Sequence, residues 1–209
     1  MLPRDLRNRT RFAIWTAACA ATCMSGCSDP DAAATIARAE KQIKNGDHAA
    51  ALDMINERLN RFEEDPASLN QAAELRLRWL RGQTRETIGR EYEALHDYEH
   101  IIRTPPDADL LARAVERELA LARLILNNGP PASFVGRSES PEEIAEELLI
   151  RVVERAPRSG LALDAFYELA THHARQEDSQ SAETIARAMR RSFPGHPKTE
   201  AIARLLESR

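Results

Sequence analysis

Short amphipathic segments, each closed by a proline or a glycine, recur from residue 30 onward and leave little choice of fold. Ala51, Ile55, Leu59 and Phe62 fall on one helical stripe, which ends before Asp65-Pro66. The pattern repeats along the chain, and no stretch shows the sustained alternation of a strand. Because a helix with one apolar stripe cannot bury that stripe alone, the helices must stack on one another. The sequence therefore predicts an all-α fold.

Capping residues and prolines divide the segments into about four helix-turn-helix pairs and one short C-terminal capping helix. The third helix is expected to end near Gly82. The longest interruption covers 128–140, and Ser140 closes it as a capping box with Glu143. The predicted helix starts include Asp29, Asp47, Asp65, Thr84, Asp107, Ser140, Ser179 and Pro197.

The turn residues of two pairs resemble those of tetratricopeptide (TPR) repeats. Gly46-Asp47-His48 is followed by Ala51-Leu52, and Asp178 is followed by Ala182 and Ala186 at positions where two helices approach closely. The resemblance covers residues 32 to 207 and implies an α-solenoid whose concave face binds other proteins. The segment 192–197 is similar to repeat junctions of TPR-type envelope lipoproteins, among them that of the β-barrel assembly machine.

The first 26 residues are typical of a secretory signal. Four arginines precede a mostly apolar run, 12–24, that is too short to span a bilayer. The following Ser25-Gly26-Cys27 resembles a bacterial lipobox. This resemblance implies cleavage between Gly26 and Cys27 and acylation of Cys27, with residues 27–31 as the tether. Ordinary cleaved secretion and a retained helix are the alternatives.

Cysteine usage and charge fit an exported, lipid-anchored chain. Cys19 and Cys23 lie inside the predicted signal, so Cys27 is left alone, and its acylation explains a single cysteine in an oxidising compartment. By analogy with the family, Ser28 favours sorting to the outer membrane. Removing residues 1–26 takes away four of 29 basic and one of 33 acidic residues, which leaves a net charge of −7. That sign disfavours nucleic acid as a partner.

His96 and His100 form the one motif with catalytic precedent. The sequence His96-Asp97-Tyr98-Glu99-His100 matches H-x-x-E-H, in which two histidines bind zinc and the glutamate acts as base. A helical wheel places Glu99 near the apolar stripe and both histidines on its flank, which favours surface or helix-packing histidines over a metal site. The adjacent His172 and His173 cannot chelate one ion as an i, i+4 pair can.

Two further features are candidate contacts with a partner. One is a local basic cluster, for which a solvated face is the alternative. The other is Phe134 in the 128–140 interruption, which either contacts a partner or folds back over the neighbouring helices. The arginines of the basic cluster are Arg76, Arg78, Arg81, Arg85 and Arg90.

We therefore expect a non-enzymatic scaffold without cofactors. The TPR-like α-solenoid, residues 32–209, is expected to bind proteins of an envelope assembly or secretion machine on its concave face. The acyl chains on Cys27 are expected to hold it in the bilayer, on the periplasmic face of the outer membrane. A zinc-dependent hydrolase built on His96, Glu99 and His100 is the alternative.

Overall fold

The computed structural model describes residues 30–104 and 108–207, and within these ranges it contains nine α-helices and no β-strand. The predicted all-α fold is thus confirmed. No helix in these ranges is long and apolar enough to cross a membrane. The helices in chain order are α1 Pro30–Lys44, α2 His48–Glu64, α3 Gln71–Thr87, α4 Glu91–Arg103, α5 Ala108–Asn128, α6 Pro141–Arg155, α7 Gly160–Arg175, α8 Ser179–Ser192 and α9 Pro197–Glu207.

Side-chain caps fix several of the helix starts. Asp47 accepts a hydrogen bond from the backbone N–H three residues later, and Ser140 and Glu143 form the predicted capping box. Asp65 instead caps a single 3-10 turn, and α3 starts after a second cap, Asn70. The predicted start of the fifth helix at Asp107 lies outside the described residues.

The predicted helix boundary at Gly82 and Thr84 is wrong. α3 continues through both residues to Thr87, and the chain turns at Gly89, which has a φ of +77°. Thr84 is buried, and its hydroxyl donates a hydrogen bond to the carbonyl of the preceding turn. The left-handed conformation at Gly89 is one that glycine adopts without strain, so the break belongs there rather than at Gly82.

Each helix packs against the next one along the chain, and α1 also contacts α3, α5 contacts α7, and α7 contacts α9. The buried apolar side chains form three clusters. The largest runs from α3 to α7, a second joins α1, α2 and α3, and a third joins α7, α8 and α9. The core is therefore distributed along the chain, as the single stripes on each helix require.

Gly82 lies inside α3 because the ring of Tyr98 on α4 occupies the space that a side chain would need. A Cβ atom at position 82 would lie 2.8 Å from Cε1 of Tyr98. The ring cannot easily move, because Trp79 packs on it at 5.5 Å between centroids and its hydroxyl donates to Glu86 at 2.6 Å. The glycine thus permits close approach of α3 and α4.

Replacing Gly82 with Val is expected to lower the free energy of unfolding by about 1–2 kcal/mol, because overpacking against Tyr98 outweighs the better helix propensity of valine relative to glycine. The change is measured by urea unfolding of the purified protein. Gly160→Val is the control, since nothing lies within 4 Å of a Cβ at that position. Equal losses for the two variants contradict the close-approach explanation.

Candidate functional site

A cleft of about 360 Å³ lies between α4 and α6, and we refer to it as the α4–α6 cleft. Its apolar lining comes from both helices: Tyr92 and Leu95 from α4, and Ile144 and Leu148 from α6. These residues recur at spacings of three and four, which places each pair on one helix face. The cleft thus lies where the apolar faces of α4 and α6 approach each other without packing fully together.

Charged and polar side chains surround this apolar lining. The residues from α4 are His96, Glu99, His100 and Arg103, those from α6 are Glu147 and Arg151, and Glu139 comes from the preceding loop. Arg103 is largely accessible, with 71% of its side chain exposed. An apolar floor with a polar rim is the usual composition of a site that binds another molecule.

The 128–140 segment supports the N-terminal end of α4, beside the cleft. The Ser133 hydroxyl donates to Glu91 at 2.6 Å and accepts a hydrogen bond from the backbone N–H of Tyr92. Phe134 is fully buried and meets the edge of the Tyr92 ring at 5.4 Å between centroids. Of the two predicted alternatives, Phe134 therefore folds back over the helices, and it is not an exposed contact. The adjacent Val135 is 68% exposed.

His96 and His100 both line the cleft but point to different partners. His96 is exposed and stacks edge-on against Tyr92 at 5.0 Å between ring centroids. His100 places its Nε2 atom 2.7 Å from a carboxylate oxygen of Glu74 on α3. Within the described ranges, no group of three or more histidine, cysteine or acidic side chains is placed to hold a metal ion.

Glu99 has its carboxylate occupied by arginines. It contacts Arg151 and Arg155 on α6, the latter at 3.2 Å, and Arg103 on its own helix at 3.3 Å. A carboxylate held by three guanidinium groups is a weak proton acceptor, because each positive charge stabilises its ionised form. The Glu99 carboxylate is therefore engaged in ion pairs between α4 and α6.

A second carboxyl group, Glu118 of α5, lies against Glu99 from behind. Its side chain is fully buried, and Arg155 donates to both of its oxygens at 2.6 and 2.7 Å and to Glu99 at 3.2 Å. We call Glu99 and Glu118 the carboxyl pair. It joins α4 and α5, and the arginines of α6 complete the junction.

The two members of the carboxyl pair have opposite pKa shifts. Burial, with a smaller contribution from the hydrogen bond to Glu99, raises the pKa of Glu118 to about 8 against the opposing effect of Arg155. Burial also acts to raise the pKa of Glu99, but the hydrogen bond from Glu118 and the charges of Arg155 and Arg151 outweigh it and lower that pKa. The more buried Glu118 is thus the member of the pair whose neutral form is favoured.

Folding stability is expected to fall as the pH rises from about 6 to 8, by up to roughly 2 kcal/mol from Glu118. The folded protein holds this proton up to about pH 8, whereas the unfolded chain loses it near the ordinary value of 4.5. The stabilisation is therefore complete below 4.5 and is lost as the pH passes through 8. Urea unfolding at several pH values tests this: Glu118→Gln flattens the dependence, and the exposed Glu116→Gln does not.

The predicted basic cluster is not the exposed patch that the sequence suggested. Arg78, Arg81 and Arg85 are turned inward and are no more than 16% exposed in their side chains. Arg76 is partly exposed and bonds Glu40 of α1 at 2.6 Å. Arg90, which directly precedes α4, pairs with Glu93 in the first turn of that helix. Arg78, Arg81 and Arg85 therefore belong to the interface of α3 with its neighbours, whereas Arg76 and Arg90 keep 42% and 47% of their side chains exposed.

Asp97 of α4 explains why these arginines turn inward. It is 1% exposed, and its two oxygens lie 2.6 Å from Arg81 and 2.7 Å from Arg85, with Arg78 at 4.0 Å. Arg78 also bonds the buried Glu74. Burial of a carboxylate requires such compensation, since an isolated buried charge is very costly.

In the other histidine pair, His172 is buried and His173 lies at the edge of the core, with 17% of its side chain exposed. The Nε2 atom of His172 lies 3.1 Å from Glu146 on α6 and 3.0 Å from Gln176. His173 lies 3.4 Å from Asp178, the cap of α8. The two rings thus serve contacts between α6, α7 and α8.

Three acidic residues were not identified from the sequence as important: Asp97, Glu118 and Glu86, which binds Tyr98 and Arg117. A signal existed for Glu118, because it stands one turn from Ala114 and Ala122 within the apolar stripe of α5. A charged residue at a stripe position requires a buried partner. The identity of that partner depends on how the helices stack.

Comparison with protein-family models, curated proteins and solved structures found no match. The description of the candidate site therefore rests on the residues and contacts of this chain alone. The predicted cleavage position Gly26 and the predicted lipidation position Cys27 lie outside the described residues.

Proposed function

We propose that this chain is a lipid-anchored helical-repeat scaffold that binds another protein without catalysis. The observation that carries the proposal is the α4–α6 cleft, which combines an apolar floor with a charged rim and in which Glu99 is held in ion pairs with arginines. The opposite pKa shifts of Glu99 and Glu118 follow from burial and from ion pairing between helices. Such shifts also occur in structural ion-pair networks, so they do not require an enzymatic role.

The proposed architecture is an α-solenoid of about four TPR-like pairs with α9 as the capping helix. It is supported by the packing of each helix on the next and by the contacts of α1 with α3, α5 with α7, and α7 with α9. In such an array the first helices of neighbouring pairs lie side by side. The cleft lies between α4 and α6, which are second helices, so we place the main docking surface there rather than on the concave face.

The membrane anchor is the part of the proposal that rests on the sequence alone. Acylated Cys27 would hold the chain at the periplasmic face of the outer membrane. Only two residues, Ser28 and Asp29, separate Cys27 from the start of α1 at Pro30, and the three Cα–Cα steps span about 10 Å when extended. The scaffold would therefore work close to the bilayer and meet partners that belong to the envelope.

Affinity capture of tagged full-length protein from membrane extracts tests this function. His96→Trp fills the cleft from an exposed position, and Arg61→Trp places the same side chain on α2, outside the cleft. Proteins captured by wild type and by Arg61→Trp are expected to be lost from His96→Trp. An unchanged set with His96→Trp refutes docking in the cleft.

The anchor has its own test. Mass spectrometry of the wild-type protein is expected to show an acylated N-terminal Cys27, and Cys27→Ala is expected to release the protein from membranes. A wild-type chain that keeps residues 1–26, or that begins at Cys27 without acyl chains, contradicts the anchor.

A further inference from the structure

The side of α1 that faces away from α2 and α3 carries three cations. Ala32, Ala39 and Ile43 belong to the core cluster that α1 shares with these two helices. Since successive residues of a helix point about 100° apart, the opposite side of α1 consists of alanines and basic residues, all of them exposed. We call this side the basic face of α1, and its residues are Ala33, Ala34, Ala37, Arg38, Lys41 and Lys44.

The exposed acidic residues of α1 do not neutralise the basic face, because each is bound by an arginine of another helix. A carboxylate oxygen of Asp31 lies 3.6 Å from Arg58 on α2, and one of Glu40 lies 2.6 Å from Arg76 on α3. Among the described residues, no acidic side chain pairs with a cation of the basic face. Three positive charges therefore stand together on one exposed side of the helix.

The neighbouring helix α2 has the opposite charge on its exposed side. This helix is described over its whole length, and its one exposed base is Arg61. Its exposed acidic residues are Asp53, Glu57, Glu63 and Glu64. Glu57 shares a shallow pocket with Arg38 but pairs with Arg61. An anionic surface therefore attracts the α1 side of this helix pair and repels the α2 side, although the predicted mature chain has a net charge of −7.

The helix α1 is also the part of the domain nearest to the proposed anchor. With Cys27 in the bilayer, three Cα–Cα steps keep the start of α1 within about 10 Å of the membrane surface. This distance is about one Debye length at physiological salt, so charges on α1 are not screened from the lipid headgroups. The 15 residues of α1 span about 22 Å, and the three cations lie along its second half.

We propose that the basic face of α1 is a lipid-binding surface. Arg38, Lys41 and Lys44 bind the phosphate groups of anionic phospholipids and hold α1 along the bilayer, and the small side chains of the alanines allow the headgroups to come close. This inference rests on the proposed acyl anchor and adds a second attachment, which an acyl chain alone lacks. The second attachment fixes which side of the scaffold faces the membrane and turns the acidic side of α2 away from it.

Fluorescence quenching measures the contact on the acylated, mature protein in lipid vesicles. A fluorophore is attached at Ala37→Cys on the basic face, or at Ser179→Cys at the start of α8 as the control position, and the quencher is a nitroxide on the lipid headgroup. With about 30% phosphatidylglycerol in phosphatidylcholine, quenching at position 37 is expected to be about threefold stronger than in phosphatidylcholine alone. Quenching at position 179 is expected to be weak in both.

Two sets of substitutions in the Ala37→Cys protein test the role of charge. Replacing Arg38, Lys41 and Lys44 with Gln is expected to reduce quenching in anionic vesicles to its value in neutral ones. The control removes three exposed arginines of α8 instead, and it is expected to leave quenching unchanged. Its substitutions are Arg187→Gln, Arg190→Gln and Arg191→Gln.

The inference is overturned if positions 37 and 179 are quenched equally, if anionic and neutral vesicles give the same quenching at position 37, or if the two triple variants behave alike. Mass spectrometry of the same samples separates the inference from the anchor. A chain without acyl groups on Cys27 refutes both. An acylated chain that stays on the vesicles, with its label at position 37 unquenched, refutes the lipid-binding face and leaves the anchor standing.

Discussion

Replacing Asp97 with Asn is expected to lower the free energy of unfolding by about 3–5 kcal/mol. The substitution keeps the shape of the side chain and removes its charge. Arg81 and Arg85, which lie 2.6 and 2.7 Å from the Asp97 carboxylate, would then be buried without a counter-charge between them. Burial already lowers the pKa of Arg85 despite Asp97, so this guanidinium depends on the carboxylate to remain charged at little cost.

Urea unfolding monitored by circular dichroism measures this loss. Asp53→Asn is the matched control, because Asp53 is exposed on α2 and the same substitution there is expected to change stability by less than about 0.5 kcal/mol. A loss below about 1 kcal/mol for Asp97→Asn shows that the arginines find other partners or water, and contradicts a central role for Asp97.

Replacing Phe134 with Ala is expected to cost about 3–5 kcal/mol, because the ring is fully buried and its removal leaves a cavity beside Tyr92. Val135→Ala provides a control at the next residue, where the side chain is 68% exposed. Its expected cost is below about 0.5 kcal/mol.

Two readouts measure the packing role of Phe134. Urea denaturation of Phe134→Ala gives the loss of stability, and hydrogen–deuterium exchange of α4 shows whether this helix loosens. If Phe134→Ala is as stable as Val135→Ala, the segment 128–140 does not support α4 in solution.

The helical character of the chain was predictable because it depends on local spacing. The stripe at Ala51, Ile55 and Leu59 is buried as expected, and the capping box at Ser140 forms as predicted. Local sequence signals did not predict the helix boundary that depends on tertiary packing. Gly82 resembles a helix end in sequence, yet the ring of Tyr98 requires a glycine inside the helix.

The candidate site was only partly predictable, for a related reason. The inward lean of Glu99 follows from the helical wheel, and the structure confirms that it is buried. Its partners Glu118 and Arg155 stand 19 and 56 residues further along the chain, and only the stacking of α4, α5 and α6 brings them together. Arginines in a row at 78, 81 and 85 look like a surface patch until Asp97 is placed opposite them.

Ionic matching between helices also limits how this chain can evolve or be re-engineered. Repeat arrays built on uniform apolar contacts tolerate insertion or removal of a unit, since every junction accepts every neighbour. Here Asp97 fits the arginines of α3, and the carboxyl pair fits the arginines of α6. Deletion of α5 together with α6 would remove Arg151 and Arg155 from Glu99. Each helix is thus matched by charge to its particular neighbours.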